Sequence, residues 1–344
     1  MLVWIDGFEG YNTLGGGLTA IILERRYTAT DLASFMIPDT GRVTGLALRM
    51  ASNGASLLTG DLTTDATLVS GAALKFSHLP PTDTIFCSFY DGSSQGINLR
   101  LTSTGELAIY LANTLLDTTS GLNISTGTWY YIELKVLCSD TVGAYEVRVD
   151  SYTQLSATGL DTQSGTNQYN NRVKLSNPHI TYMWVDDYYI CDGTGSGVTN
   201  DFLGQCRVSA RDPRIDYVAD FDEIYPATGD HYSHVDDGAL ADDDTTYVED
   251  ATTGHRDLFT YWPATVYTNI IGVAINTTCK ITDLESKILK TLISSNGVEV
   301  ELDSSTIMDT EYATVSTISE IDPNTTGMWD IDAFNDAYIG FEIG

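Results

Sequence analysis

The sequence contains few basic residues and no long apolar run. Its 344 residues include 17 Lys and Arg against 47 Asp and Glu, so the formal net charge is −30. A surface of this sign repels phosphate backbones, and we therefore expect no direct contact with nucleic acid. No run approaches the roughly 20 apolar residues of a membrane-spanning helix, so we also expect no membrane insertion.

Cysteine is scarce as well. The five cysteines show no C-x-x-C spacing: Cys87, Cys138, Cys191, Cys206 and Cys279. An odd number at wide spacing argues against a disulfide framework and against a zinc site. We expect most of them to be small buried side chains in strands, and we expect the chain to require no cofactor.

The clearest pattern that is present covers residues 129–150. Between Trp129 and Val136, polar and apolar side chains alternate with a period of two, and the alternation resumes between Tyr145 and Asp150. A period of two on both sides of a polar turn is typical of two half-buried antiparallel strands. The segment therefore predicts a β-hairpin.

Short alternating runs separated by turn residues continue along the chain, which predicts an all-β protein. We place a jelly-roll sandwich at residues 1–207, an acidic connector at 208–257 and a smaller C-terminal β-sandwich at 258–344. Residues 282–292 fit a strand or an amphipathic helix, and we favour a strand because the Ser-Asn-Gly turn and Val298-Glu-Val-Glu-Leu302 continue it as a hairpin. One short helix is predicted at 330–336.

Two segments resemble a known group of sandwich domains. Gly127-Thr-Trp-Tyr-Tyr-Ile-Glu-Leu-Lys-Val136 with the following strand, and Trp184-Val-Asp-Asp-Tyr-Tyr-Ile-Cys-Asp192, are similar to strands of the laminin-G and concanavalin A-like jelly rolls. The resemblance covers roughly residues 1–205. It implies a fold that hosts lectins, hydrolases and adhesive modules, so it does not specify a function.

The rest of the chain resembles a terminal segment that recurs in virion proteins of tailed bacteriophages. The similar segments, in order, are Asn200-Asp-Phe-Leu-Gly-Gln-Cys-Arg-Val208, Asp242-Asp-Asp-Thr-Thr-Tyr-Val248, Asp257-Leu-Phe259 and Asp322-Pro-Asn-Thr-Thr-Gly-Met-Trp329. Gln205 stands where such proteins carry Asp, and Asp322-Pro where they carry Asn-Pro. The resemblance implies a structural protein displayed on the particle.

These resemblances imply a non-enzymatic virion protein, a tail fibre or adhesin whose lectin-like domain contacts a cell-surface or extracellular glycan. Its partners would be other virion proteins and further copies of itself, with a trimer favoured by analogy. One alternative is a capsid decoration or head-fibre protein with an architectural role. An alternative of another class is a glycoside hydrolase of the concanavalin A-like group.

Hydrolysis of a glycosidic bond needs two suitably spaced carboxylates. The nearest acidic runs, Asp220-Phe-Asp-Glu223, Glu299-Val-Glu-Leu-Asp303 and Glu320-Ile-Asp322, do not complete the E-x-D-x-x-E pattern. His231 and His234 lie in a polar loop and lack the partners of a catalytic triad. No catalytic residue is therefore assigned.

We expect ligand contacts in the loops, where binding residues of a sandwich are commonly found. Tyr90 and Tyr169 are the candidates for stacking on a sugar, whereas Trp129 and Trp184 lie in strands, where packing is the commoner role. Hard oxygen ligands for a calcium ion are offered by one acidic loop, at Asp236, Asp237, Asp242, Asp243 and Asp244. The loop lacks EF-hand spacing, so a solvated acidic loop remains the alternative.

Overall fold

The computed structural model describes residues 1–9, 25–28, 36–51, 54–195, 198–237, 242–265, 269–283 and 285–344. Strands make up 50% of the structure and helices 4%, which confirms the predicted all-β class. The chain divides into two compact units, Met1–Ser209 and Ala210–Gly344. In the described residues, no helix has the length and apolar character needed to cross a membrane.

The strands of the first unit are short and follow one another closely. They are β1 (Leu2–Asp6), β2 (Met36–Thr40), β3 (Leu46–Met50), β4 (Ser56–Leu58), β5 (Thr67–Phe76), β6 (Thr84–Asp91), β7 (Ser94–Leu101), β8 (Leu107–Leu111), β9 (Thr114–Thr118), β10 (Trp129–Leu137), β11 (Gly143–Val149), β12 (Tyr152–Leu160), β13 (Arg172–Ser176) and β14 (Met183–Asp192).

These strands form two antiparallel sheets. The eight-stranded sheet has the order β12-β11-β10-β5-β14-β3-β2, with β1 paired to β14, and the six-stranded sheet has the order β4-β13-β6-β7-β8-β9. The predicted hairpin is β10 and β11, with Ile132 opposite Val149 and Leu134 opposite Val147. Neighbours in the eight-stranded sheet are mostly distant in sequence, as expected for a jelly roll.

The core of the first unit lies between the two sheets. Side chains at alternate positions meet there, including Leu134 and Phe76 from the eight-stranded sheet and Phe86 and Leu99 from the six-stranded sheet. The rings of Phe76 and Phe86 meet edge to face, with centroids 5.6 Å apart. Because alternate positions of each strand are used in this core, the other positions of the eight-stranded sheet face away from it. We call that side the outer face.

The second unit is built around a five-stranded sheet of order β15-β18-β23-β20-β21, with two further strand pairs, β16-β17 and β19-β22. Its strands are β15 (Pro213–Ala219), β16 (Glu223–Tyr225), β17 (Tyr247–Glu249), β18 (Arg256–Tyr261), β19 (Val273–Cys279), β20 (Lys287–Ser295), β21 (Val298–Ile307), β22 (Ala313–Ser319) and β23 (Tyr338–Ile343). Trp329 is 1% exposed and packs in one core with Ile293 and Ile339.

The structure differs from the predicted connector at 208–257. Strand β15 pairs with β18, and β16 pairs with β17, so most of this acidic stretch belongs to the second unit. The side chains of β15 are largely exposed, so the strand lacks the alternation of a half-buried strand. The strand favoured at 282–292 forms from Lys287, and the short helix, α1 (Ile331–Asn335), is capped by Asp330, whose side chain accepts from Ala333 N.

Candidate functional site

One row of side chains crosses four neighbouring strands on the outer face. Trp129 in β10 pairs with Lys75 in β5, Lys75 with Trp184 in β14, and Trp184 with Arg49 in β3. Neighbouring strands lie about 4.8 Å apart, so the row spans roughly 14 Å. All four side chains are partly exposed. We call these four residues, with the adjoining Tyr182 and Asp39, the open row.

Lys75 lies between two indole rings. Its Nζ is 4.7 Å from the ring centre of Trp129 and 4.3 Å from that of Trp184. Within the part of the chain that the structure describes, no hydrogen-bond acceptor or carboxylate partner contacts this ammonium group. Partial burial lowers the pKa of Lys75, and the negative charge of Asp39 opposes that shift only in part.

Arg49 occupies the other end of the open row. Its Nη1 donates to Asp39 Oδ2 at 3.0 Å, and Trp184 Nε1 donates to the same oxygen at 3.1 Å. The guanidinium carbon lies 4.9 Å from the ring centre of Tyr182. The buried Nε of Arg49 has no hydrogen-bond partner among the described residues. Burial raises the pKa of Asp39, but the donors from Trp184 and Thr40 and the charge of Arg49 outweigh it, so the net shift is downward.

Residues 201–208 cover the neighbouring part of the outer face. Glu133 Oε1 accepts hydrogen bonds from the Tyr189 hydroxyl at 2.5 Å and from Gly204 N at 2.9 Å. The Tyr131 hydroxyl donates to the carbonyl of Asp187 at 2.9 Å. Glu133 is 0% exposed and Tyr131 and Tyr189 are each 1% exposed, so these groups are not accessible to a ligand in this structure.

Glycine is required where Tyr189 crosses the outer face. A Cβ placed on Gly71 in β5 would lie 2.3 Å from Cε1 of the Tyr189 ring. No side chain fits at this distance without moving the ring. Gly71 therefore allows Tyr189 to lie flat against the sheet and to reach Glu133.

Buried carboxyl groups surround Arg42 beside this covered part. Arg42 Nη2 lies 2.7 Å from Asp187 Oδ2, and Arg42 N donates to Asp186 Oδ2 at 2.7 Å. Burial, with the charge of Asp187, raises the pKa of Asp186 to about 7. Burial, with the charge of Asp186, raises the pKa of Glu9 to about 8. These carboxyl groups therefore stay partly protonated near neutral pH.

The tyrosines predicted to contact a ligand lie outside the open row. Tyr90 is in β6 of the six-stranded sheet, and its hydroxyl accepts from Gln95 Nε2 at 3.2 Å. Tyr169 is half-buried in the loop that precedes β13. A ligand-binding role for either tyrosine stays a prediction.

The predicted calcium ligands are only partly within the described residues, because 238–241 lie outside them. Asp242 N donates to Asp237 Oδ2 at 3.4 Å, and burial together with the charge of Asp242 raises the pKa of Asp237 to about 6. Asp244 instead pairs with Lys280. Calcium binding, at Asp236, Asp237, Asp242, Asp243 and Asp244, stays a prediction.

The sequence did not predict the open row. Trp129 and Trp184 were expected to pack in or at the edge of the sheet, yet the structure places both rings on the outer face against Lys75. Alternation alone puts Trp129 on the face opposite Ile132, which was a usable signal. The pairing of β5 with β10 and β14 was not readable, because these strands are far apart in sequence.

At the level of sequence, no family profile and no curated protein matches this chain. Solved structures of similar fold include the alginate lyase Aly36B, at 13% identity and a TM-score of 0.40, covering 54% of this chain and 95% of that one. An endo-β-1,4-glucuronan lyase from Trichoderma reesei has 11% identity and a TM-score of 0.36 and covers 47% and 86%. A Trypanosoma rangeli sialidase has 12% identity and a TM-score of 0.34 and covers 48% and 29%.

These similarities contradict the prediction that the protein is a non-enzymatic structural protein. The structures named above are polysaccharide lyases and a sialidase, so the prediction of a non-enzymatic role was wrong, and the alternative of a glycoside hydrolase fits them better than a structural protein does. At these identities and TM-scores the likeness describes the fold alone. The phage origin, the virion location and the trimer stay predictions, because none of the similarities bears on them.

Proposed function

We propose that the first unit is the polysaccharide-processing part of a carbohydrate-active enzyme, and that the open row binds a sugar chain that carries carboxylate groups. The observation that supports this is the Lys75 ammonium between the rings of Trp129 and Trp184. Indole rings offer large, rigid apolar surfaces against which a sugar ring packs. A row that extends over four strands suits a chain better than a single sugar.

The cations of the open row favour an acidic sugar. The net charge is −30, yet among the residues that the structure describes Lys75 has no acidic partner at contact distance, and Arg49 is paired with one carboxylate, that of Asp39. A bound carboxylate would supply the charge that these groups lack, and it would accept hydrogen bonds from both. A neutral sugar chain would leave the Lys75 ammonium unpaired in a partly buried site.

The chemistry that suits this arrangement is β-elimination at a uronate residue. In molecules in which Lys75 is deprotonated, Arg49 would hold the substrate carboxylate, and the neutral Lys75 amine would remove the C5 proton, which is acidic because it is α to the carboxyl group. The C–H electron pair would form the C4–C5 double bond as the bond from C4 to the glycosidic oxygen breaks. The proton on Lys75 would pass to the departing oxygen, so no other reactant is consumed. The lowered pKa of Lys75 makes the neutral amine more available.

The open row suits hydrolysis less well. Glycosidases of the common kinds use two carboxyl groups, roughly 5–10 Å apart depending on the mechanism. The open row carries one carboxylate, Asp39, and both Arg49 and Trp184 donate to it. These two hydrogen bonds favour the ionised carboxylate of Asp39. An ionised carboxylate carries no proton to donate to the leaving oxygen.

The test is incubation of the full chain with polymannuronate, polyguluronate, polyglucuronate and polygalacturonate. Elimination leaves a 4,5-unsaturated uronate, which is measured by its ultraviolet absorbance. Lys75→Ala should abolish product formation, whereas Lys174→Ala, a matched change in β13 of the other sheet, should leave it unchanged. Neutral glucan and xylan serve as negative substrates.

Two results would overturn the assignment of elimination to Lys75. One is an active wild-type protein whose activity survives in Lys75→Ala. The other is reducing sugar released without any unsaturated product, which would indicate hydrolysis. If no uronate polymer is bound or cleaved by the wild-type protein, the assignment of the open row as a site for acidic sugar chains is wrong.

A further inference from the structure

We propose that the second unit contains a site for a divalent transition-metal ion, formed by Asp222, Asp250 and His255. This site is independent of the open row and of the predicted calcium loop. The three side chains come from three short segments, one just before β16, one just after β17 and one just before β18. Folding of the second unit therefore brings Asp222 beside Asp250 and His255, which lie 28 and 33 residues further along the chain.

The ligand atoms converge closely enough to share one ion. His255 Nδ1 lies 2.8 Å from Asp250 Oδ2 and 3.9 Å from Asp222 Oδ1. One atom from each residue lies within 4.8 Å of the other two. Ligands at about 2.1 Å from a metal are about 3.0–3.4 Å apart in octahedral or tetrahedral geometry. To reach these separations, His255 Nδ1 and Asp250 Oδ2 would move apart by about 0.2–0.6 Å, and Asp222 Oδ1 would approach His255 Nδ1 by about 0.5–0.9 Å.

A hydrogen bond from the backbone positions two of the ligands, Asp222 and Asp250, relative to each other. Asp250 Oδ2 accepts from Asp222 N at 2.9 Å, which fixes Asp222 beside Asp250. The preceding residues are held in turn by the buried carboxylate of Asp257, whose Oδ1 accepts from Asp220 N at 2.9 Å and from Phe221 N at 3.1 Å. A site whose ligands are oriented before binding loses less entropy when an ion arrives.

The carboxylate of Asp222 is the group that the fold leaves available. Its side chain is 66% exposed, and no donor within the described ranges hydrogen-bonds to its oxygens. It nevertheless points towards Asp250, so two negative charges converge on one imidazole. A divalent cation bound between His255 Nδ1 and the two carboxylates would offset that repulsion.

The ligand types select the metal. One imidazole nitrogen and two carboxylate oxygens suit Zn²⁺ or Mn²⁺, whereas Ca²⁺ prefers six to eight oxygen ligands. The exposed position leaves room for water at the remaining coordination sites. The nearby pair of His231 and Asp257 differs, because it supplies only two side chains, and Asp257 Oδ1 already accepts from two backbone N–H groups.

The test is calorimetric titration of the untagged full chain with Zn²⁺, Mn²⁺ and Ca²⁺ after treatment with a chelator. We expect one Zn²⁺ or Mn²⁺ per chain and no competition from a tenfold excess of Ca²⁺. His255→Ala and Asp222→Asn should each weaken binding by about tenfold or more, since each removes one of three ligands. His78→Ala, an exposed histidine of the first unit, is the matched control.

Asp222→Asn keeps the proposal testable if His255→Ala fails to fold, because the Asp222 side chain is exposed and the hydrogen bond from its backbone N remains. Circular dichroism establishes that each variant is folded. Absence of Zn²⁺ and Mn²⁺ binding by the wild-type protein would overturn the site. So would binding that is unchanged in folded Asp222→Asn.

Discussion

Lys75 and Trp184 are direct cross-strand partners, and the ammonium nitrogen of Lys75 lies 4.3 Å from the centre of the indole ring. A cation over an aromatic face is stabilised by roughly 0.5–2 kcal/mol, depending on its exposure. This contact holds the amine over the sheet without giving it an acidic partner. The amine is therefore positioned for a ligand that brings its own negative charge.

The first prediction concerns the pH dependence of the proposed elimination. If Lys75 is the base, the rate rises with pH as its ammonium group loses a proton, and the midpoint lies below the ordinary pKa of lysine, because burial lowers that pKa. Asp39→Asn removes the negative charge that opposes this shift. The midpoint of kcat/KM should therefore move to still lower pH in Asp39→Asn. A midpoint that is unchanged, or higher, would exclude Lys75 as the titrating base.

The second prediction concerns the two indole rings of the open row. Trp184→Ala and Trp129→Ala should each weaken binding of a uronate oligosaccharide by about fivefold to thirtyfold, since each loses apolar contact worth about 1–2 kcal/mol. Binding is measured by calorimetry with Lys75 in place, at a pH well below the midpoint of the elimination rate, where Lys75 is an ammonium group and cannot act as the base. Trp262→Ala is the matched control, because Trp262 is also exposed and contacts a cation, Arg214, but lies in the second unit. Equal effects of all three changes would exclude a specific role for the open row.

The sequence predicted the class of fold because strand alternation is a local property. The hairpin at 129–150 could be read from residues that are adjacent in the chain, and the structure pairs Ile132 with Val149 as the pattern requires. The β15 strand could not be read in this way. Its side chains are mostly exposed, so its sequence lacks the alternation that would distinguish a strand from a connector.

The open row shows the other limit. Lys75, Trp129 and Trp184 are each recognisable as strand residues, but they meet only because β5 lies between β10 and β14. That order is set by packing of the whole sheet, and no local pattern contains it. The sequence also did not predict that residues 201–208 cover part of the outer face, because the contact between Glu133 and Gly204 joins residues that are 71 positions apart. The sequence predicted ligand contacts in loops, whereas the aromatic side chains that adjoin Lys75 lie on strands.

The third prediction concerns the stability of the first unit at different pH. Burial raises the pKa of Asp186 to about 7, so the folded state binds a proton that the unfolded state has already released above about pH 4. The free energy of unfolding contributed by this group therefore falls as pH rises from about 4 to about 7. Asp186→Asn removes this contribution.

Relative to the wild-type protein, Asp186→Asn should gain stability between pH 5 and pH 8, measured as the difference in Tm at each pH. Asp83→Asn, at an exposed position, should show a difference that is nearly constant over the same range. The comparison uses differences because many other carboxyl groups also titrate. A difference for Asp186→Asn that falls with pH would contradict the raised pKa.

The fourth prediction concerns the covered part of the outer face. Glu133→Ala should lower the free energy of unfolding by about 2–4 kcal/mol, because it leaves the Tyr189 hydroxyl and Gly204 N without their shared acceptor in a buried site. Glu133→Gln keeps Oε1 as the acceptor and should cost about 1 kcal/mol. Unfolding by guanidinium chloride, followed by tryptophan fluorescence, measures both changes.

Asp201→Ala provides the comparison for this prediction within the same covering segment. Asp201 forms an exposed ion pair with Lys135, and such pairs contribute only about 0–1 kcal/mol. Glu133→Ala should therefore be the most destabilising of the three changes. Glu133→Gln and Asp201→Ala should each have a smaller effect, and their effects should be similar. If Glu133→Ala cost no more than Asp201→Ala, residues 201–208 would be held by contacts other than the Glu133 carboxylate. The buried hydrogen bonds of Glu133 would then not be what keeps this part of the outer face closed.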